Sequence, residues 1–588
     1  MARLRGARGA LLTAAATALV VTGLPAPASS QLTADAAADC PEAVPVSALT
    51  PGTTGHGLTV SSGTEPEPFT ATVLGVLDDG IAPDLDMIIA ELDSPALSKV
   101  GGVWSGMSGS PVYTQDGRLI GAVSYGLALG PSKVAGITPA ADMLALLDNP
   151  PAAAAAPAEA VPLPARVRTD LIRSGQLTGR EADAGLRQLR HPLAVSGLAD
   201  DRLKKAVKKM KLTGVRAYRS GVAAGAPSAA DTIVPGGNLA AALSYGDLTA
   251  AAVGTATAVC GGEVLGFGHP FLFSGTSTMS AHGANAIFVQ DDPTLTPYKV
   301  ANLGAPVGTL GDDRLAGVRA QLGPVPDGML ATSHVSASGR SRDGSTRINV
   351  EDYVPVLSAF HLLSNIDRIA DRIGEGRSKL GWTIRGTRAD GSSWQLERGN
   401  RYASEWDVSF ESIFELYEQL WTIQANRAED VTIDDVDVHA KVAEDYRAFR
   451  VGKVHLRTPD GWQKLTRRGA VRIEPGATME LRVGLDPQGF VGESRTLRMK
   501  VKVPQRMAGS SGALTVSGGN SDWYYYGNAK SFDKLLAKLA SAPRNDEVTA
   551  AVRTYRERGG MRGPTSVERT RNVVGGDKWF RIRVRSTG

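Results

Sequence analysis

The sequence predicts a mainly β protein with some α, built as several domains. Three observations carry this. The 67 glycines and 33 prolines, against aromatic residues at only 6%, supply turns between many short strands. Apolar residues alternate with polar ones in short runs toward both ends of the chain, and a helical period is confined to a stretch past Asn349. The length of 588 residues, with 42% hydrophobic and 21% charged, suits roughly three or four packed domains and excludes wholesale disorder. A net charge of +4 is too small over this length to argue for a nucleic-acid partner.

At the N-terminus, Arg3, Arg5 and Arg8 precede an apolar run from Ala10 to Leu24, and Ala26-Pro27-Ala28 offers a small-x-small cleavage pattern. A secretory signal over 1–28 is expected. Its apolar run of about 15 residues is short of the ~20 that cross a bilayer. Asp39 before Cys40 argues against lipid attachment, so the mature chain is expected to be secreted or in the cell envelope. The two cysteines, Cys40 and Cys260, then either form one bridge or remain as two buried thiols.

Residues 40–148 alternate apolar runs with turn signals, with strands expected at Phe69 to Leu77, Met87 to Leu92 and Arg118 to Tyr125. Asn149 to Pro164 is an Ala/Pro connector, giving a linker at 149–165. A second mixed segment covers 166–345. It opens near Lys204, Lys205, Lys208, Lys209 and Lys211, which read as a solvated helix face or a peripheral contact with an anionic envelope surface. Helical spacing marks 346–428, at Leu357 to Ile373 and at Ile413, Leu416, Tyr417, Leu420 and Trp421. Period two returns over 429–518, at Val436 to Val442, Met479 to Leu485 and Leu497 to Val503, which predicts an immunoglobulin-like β-sandwich. The segment 519–588, with a helix at Phe532 to Leu539 and a strand at Trp579 to Val584, is expected to pack back on an earlier domain.

The chemistry concentrates at Gly106-Met107-Ser108-Gly109-Ser110-Pro111. A serine between glycines tolerates an unusual turn, and the N–H groups of Gly106 and Ser108 are placed to form an oxyanion hole. This pattern resembles the nucleophile loop of trypsin-like serine peptidases. The wider run, with Gly57 to Thr64, Phe69 to Leu77 and Gly101-Gly102-Val103 leading into the serine block, looks like the SpoIVB peptidase S55 family. The resemblance implies Asp93, fifteen residues before Ser108, as the acid that orients the base. It implies His269, in Gly266-Phe267-Gly268-His269-Pro270, as the base, flanked by Gly246-Asp247-Leu248 and by Pro306 to Asp312, both similar to the family. His282 and His334 are the next candidate bases, and Asp86, Asp312 and Asp313 the next acids. His56 lies close in sequence but off the family's position, and His191, His361, His439 and His455 are expected to be structural.

In the founding sporulation members the histidine segment comes first, whereas here it follows Ser108 by 161 residues. The expectation is therefore a permuted trypsin-like double β-barrel, then an α/β segment and the sandwich. The resemblance implies a secreted serine endopeptidase with a restricted protein or peptide substrate in the envelope, with self-cleavage at Asn149 to Pro164 as a subsidiary expectation. The alternative is an inactive, peptidase-like binding or scaffold protein. No motif supports a metal, nucleotide or other cofactor, and the sequence is silent on oligomeric state.

Overall fold

The computed structural model describes residues 40–148, 160–189, 191–210, 215–220, 230–292, 296–489, 492–521, 529–554 and 564–586. The expected leader, most of the linker with its cleavage stretch, and Lys211 lie outside the described residues.

The first unit is a closed antiparallel barrel. Its strands are β1 (Thr54–Thr59), β2 (Glu67–Ala82), β3 (Leu85–Asp93), β4 (Pro111–Thr114), β5 (Leu119–Leu127) and β6 (Val134–Pro139). They run in the order β4-β1-β2-β3-β6-β5, and β5 pairs back with β4. Alternate residues such as Phe69, Val73, Ile88, Leu92 and Ile137 fill its interior, which is what period two at these strands dictates. The short β7 (Leu186–Gln188) pairs with β5.

A second closed ring follows. After β8 (His191–Val195) and β9 (Val215–Arg219) come β10 (Asn238–Gly246), β11 (Ala250–Cys260), β12 (Glu263–Gly266), β13 (Gly275–Gln290), β14 (Tyr298–Arg314) and β15 (Gly317–Leu322). The pairings β10-β13-β14-β15-β12-β11 return to β10, all antiparallel. Strand β8 joins β11, and β9 joins β8 in parallel.

From β10 the sheet continues through β17 (Arg340–Ile348) and β16 (Met329–Ala337) to β18 (Gly376–Thr387), β19 (Ser393–Ser404) and β20 (Asp435–Ala443). The helices Val354–Ala370 and Phe414–Gln424 cover one face, where Leu357, Leu363, Leu416 and Leu420 share a core with Trp382 and Val436. Their period of 3.6 placed them in the sequence. Strand β20 corrects a boundary: expected to open the sandwich, it lies instead between β16, in parallel, and β18. Alternation fixes that one face is buried, not which sheet buries it.

The C-terminal unit packs two sheets on one core. It contains β21 (Arg447–Thr458), β22 (Gly461–Lys464), β23 (Ala470–Ile473), β24 (Thr478–Gly489), β25 (Arg495–Lys502), β26 (Ser511–Gly518), β27 (Glu547–Thr554), β28 (Thr565–Arg569), β29 (Val573–Gly575) and β30 (Asp577–Val584). One sheet is β22-β21-β24-β25 with β29 on β21, and the other is β23-β30-β26-β27-β28. Phe449, Val483, Met499, Leu514, Val552 and Phe580 meet between them. The last segment divides. The helix Phe532–Ala540 sets Phe532 edge-on to Trp394 of β19 at 5.2 Å, while β30 is built into the second sheet rather than returning to an earlier unit.

Candidate active site

Ser108 stands in the loop between the helix Pro95–Val100 and β4, wedged between the two rings. From the first ring, Gly109 N–H donates to Val123 of β5 (2.8 Å), and Ser110 Oγ donates to Thr59 Oγ1 of β1 (2.8 Å). From the second, Thr255 N–H donates to the Ser108 carbonyl (2.8 Å), while the Thr255 and Thr257 hydroxyls donate to the carbonyls of Gly106 (3.0 Å) and Gly109 (2.7 Å). Gly109 has φ +96°, and a Cβ there would lie 2.0 Å from the Thr255 oxygen. Only glycine lets β11 approach this closely.

His269 comes from the turn after β12. Phe267 and Gly268 both hold positive φ, 66° and 67°, and such a conformation in a bulky buried residue is a strain that neighbours must hold. The first ring does part of the holding, because Thr138 Oγ1 donates to the Gly268 carbonyl at 2.6 Å. The dyad then meets across the two rings. His269 Nδ1–H donates to the Pro270 carbonyl (2.9 Å), which leaves Nε2 to accept from Ser108 Oγ–H (3.0 Å). Burial pushes the His269 imidazole down to about 4, against the upward pull of main-chain contacts at Pro270 and Leu189. It is therefore a neutral base at pH 7. The N–H groups of Gly106 and Ser108 donate to no acceptor among the described residues, which leaves both for an oxyanion.

Asp93 is not part of this site. Its carboxylate bonds Lys133 Nζ (2.5 Å) and Ser98 Oγ (3.3 Å) at the surface, and Lys133 holds it below the usual carboxylate range. The physical reason lies in the next residue: Ser94 caps the helix Pro95–Val100, its side chain accepting from Leu97 N–H (3.1 Å), so the chain turns outward at Asp93. Asp313 supports the histidine turn from behind: its carboxylate accepts from the N–H groups of Phe271 and Leu272, both at 2.7 Å, and Ser274, at 3.3 Å. It fixes the turn that carries the Pro270 carbonyl. Burial raises the Asp313 carboxyl, against these N–H groups.

His191, expected to be structural, lies beside the site with its ring centroid 4.5 Å from that of His269 and Nε2 3.3 Å from the same Pro270 carbonyl. The local sequence offers one hint, that His191-Pro192 repeats the His269-Pro270 dipeptide. The other candidates lie elsewhere. His282 bonds Ser280 Oγ (2.8 Å) and the Gly304 carbonyl (2.9 Å) inside the second ring, His334 pairs with Asp343 on the surface, Asp86 accepts from Asp79 N–H, and Asp312 pairs with Arg314 and Arg319. His56 stands on β1 beside Tyr113. Ser108 and His269 are 0% and 1% exposed, so the dyad is closed to solvent. Cys40 and Cys260 are bridged, which ties the start of the described chain to the end of β11.

Comparison with known proteins reaches the segment that carries the serine. Residues 35–144 match the family model of SpoIVB peptidase S55. The matched segment includes Ser108, Gly106 and Asp93, while His269 lies beyond it. No curated protein and no solved structure matches the chain.

Proposed function

We propose that the chain is an exported serine endopeptidase acting on a restricted protein or peptide substrate. The observation that carries this reading is the Ser108–His269 hydrogen bond, with the histidine tautomer set by the Pro270 carbonyl. Ser108 Oγ attacks the peptide carbonyl carbon while Nε2 takes its proton. The oxyanion accepts from the Gly106 and Ser108 N–H groups. Nε2 then returns the proton to the leaving amine, and water reverses the steps to release the acyl group. Pro270 takes the orienting place that a carboxylate holds in a Ser-His-Asp triad.

The two rings support a trypsin-like double barrel in permuted order. Each ring closes from its own stretch of chain, between Thr54 and Pro139 and between Asn238 and Leu322, so exchanging their order leaves both sets of pairings intact. The sandwich supports an immunoglobulin-like recognition module, although its parallel pairs β21–β29 and β23–β30 depart from the antiparallel pattern. Export is supported by the bridge between Cys40 and Cys260, a bond that persists in oxidising compartments.

A second reading, a peptidase-like scaffold without catalysis, is favoured by the full burial of Ser108 and by His269 bonding no carboxylate among the described residues. Proteolysis separates the two. The purified chain is incubated with unfolded exported proteins beside its Ser108→Ala form, and fragments are mapped by mass spectrometry. Discrete fragments made only by the native chain support the peptidase, and identical patterns from both, including any cut at 149–164, sink it.

A further inference from the structure

A cavity of about 300 Å³ lies where the large sheet meets the sandwich, and six cations line it: Arg377, Lys379, Arg401, Lys441, Arg447 and Arg571. Among the described residues no acidic one lines it. Three of the cations stand abreast on adjacent strands, Arg401 of β19 opposite Lys379 of β18, and Lys379 opposite Lys441 of β20. Their alternate neighbours Leu380, Tyr402 and Val442 are buried on the helix-covered side, so all three side chains share the outer face. Like charges directly opposite each other destabilise a sheet. Here that cost is incurred twice in one row.

The carboxylates at hand relieve it only in part. Asp445 bonds Arg377 at 3.1 Å and also pairs with Arg447, and Asp546 bonds Arg401 at 3.2 Å while also reaching Arg569 at 3.4 Å. Lys379, Lys441 and Arg571 have no ion-pair or hydrogen-bond partner among the described residues. Three uncompensated, solvent-exposed cations, with guanidinium groups beside them, line one open cleft at the lower end of ordinary ligand-pocket volumes.

We propose that this cavity binds a compact phosphate-class polyanion, a diphosphate or a phosphate ester carrying two or more negative charges. Lysines 379 and 441 supply point charges, and the guanidinium groups supply forked donors to phosphate oxygens. Arg447 and Arg571 reach it from the sandwich side, so the bound anion bridges the two units. The site is separate from Ser108 and independent of the peptidase reading.

The test is calorimetric titration of the full chain with inorganic diphosphate at low and moderate salt, beside the Lys379→Gln/Lys441→Gln double variant, with melting temperatures of both in the absence of ligand. The native chain binds, affinity falls with salt, and the double variant loses at least tenfold. The ligand-free variant melts no lower than the native chain, because the substitution removes repulsion and not support. A second arm uses flotation with vesicles containing phosphatidic acid. Flotation that diphosphate competes away places the phosphate on a lipid headgroup, whereas diphosphate binding without flotation makes it a free ligand. No binding of either probe, binding unchanged in the double variant, or a ligand-free variant that melts below the native chain overturns the proposal.

Discussion

His269 is held between opposed effects, burial that lowers its proton affinity to about 4 and main-chain contacts at Pro270 and Leu189 that raise it. Because the neutral form is the base, reaction of Ser108 with a serine-directed phosphonate should stay on its plateau from pH 8 down to about 5 and fall toward 4. An unperturbed imidazole would lose half its rate near ~6.5, and a midpoint there would contradict the assignment. The carboxylates are predicted to differ. Asp93→Asn should change the labelling rate by less than about twofold, since its partners are Lys133 and Ser98. Asp313→Ala, which takes the acceptor from the buried Phe271 N–H and the part-buried Leu272 and Ser274 N–H groups, should cost about 1–3 kcal/mol in a urea melt and slow labelling at least tenfold by releasing the Pro270 turn.

At the scale of elements, the serine loop is a clasp between β5 of one ring and β11 of the other. Gly109→Ala would drive a methyl group into the Thr255 carbonyl at a positive φ, so the soluble yield or the melting temperature should collapse. Thr255→Val, which loses one buried hydroxyl bond to Gly106, should cost about 1–2 kcal/mol by denaturant melt. These contacts explain what the sequence could disclose. The serine block was legible because its demands are local: two glycines, a serine and the strand that follows. The same locality misled at Asp93, where Leu92-Asp93-Ser94-Pro95 satisfies a helix start as well as it resembles a catalytic aspartate. His191 was harder to see, and Asp313 could be named only as one of several next acids, since their places come from β8 and β14 being brought beside the β12 turn. The parallel partner of β20 was invisible for a similar reason, because alternation carries no information about which distant strand pairs with it.

For the whole molecule, four buried histidines set the response to acid. Burial lowers His269, His282 and His361 to about 4 each and His191 well below its ordinary value. The unfolded chain therefore takes up protons first as pH falls, so the contribution of His269, His282 and His361 is full above ~6.5 and is lost between there and about 4, at up to ~1.4 kcal/mol per pH unit for each group, and His191 adds in the same direction. Denaturant midpoints should fall steeply across that window, and a flat profile would mean these imidazoles are not buried as described. The Cys40–Cys260 bridge spans 220 residues. On the chain-entropy model its reduction should cost about 5.4 kcal/mol, read as a lower melting temperature for Cys40→Ser. The central claim is that two separately closed rings bring Ser108 and His269 together as an activated pair. Its most direct test is fluorophosphonate labelling of the native chain with the adduct located by mass spectrometry. The account predicts an adduct at Ser108, absent from Ser108→Ala, lost from His269→Ala and retained in Asp93→Asn. A folded native chain that carries no adduct at Ser108 would contradict it.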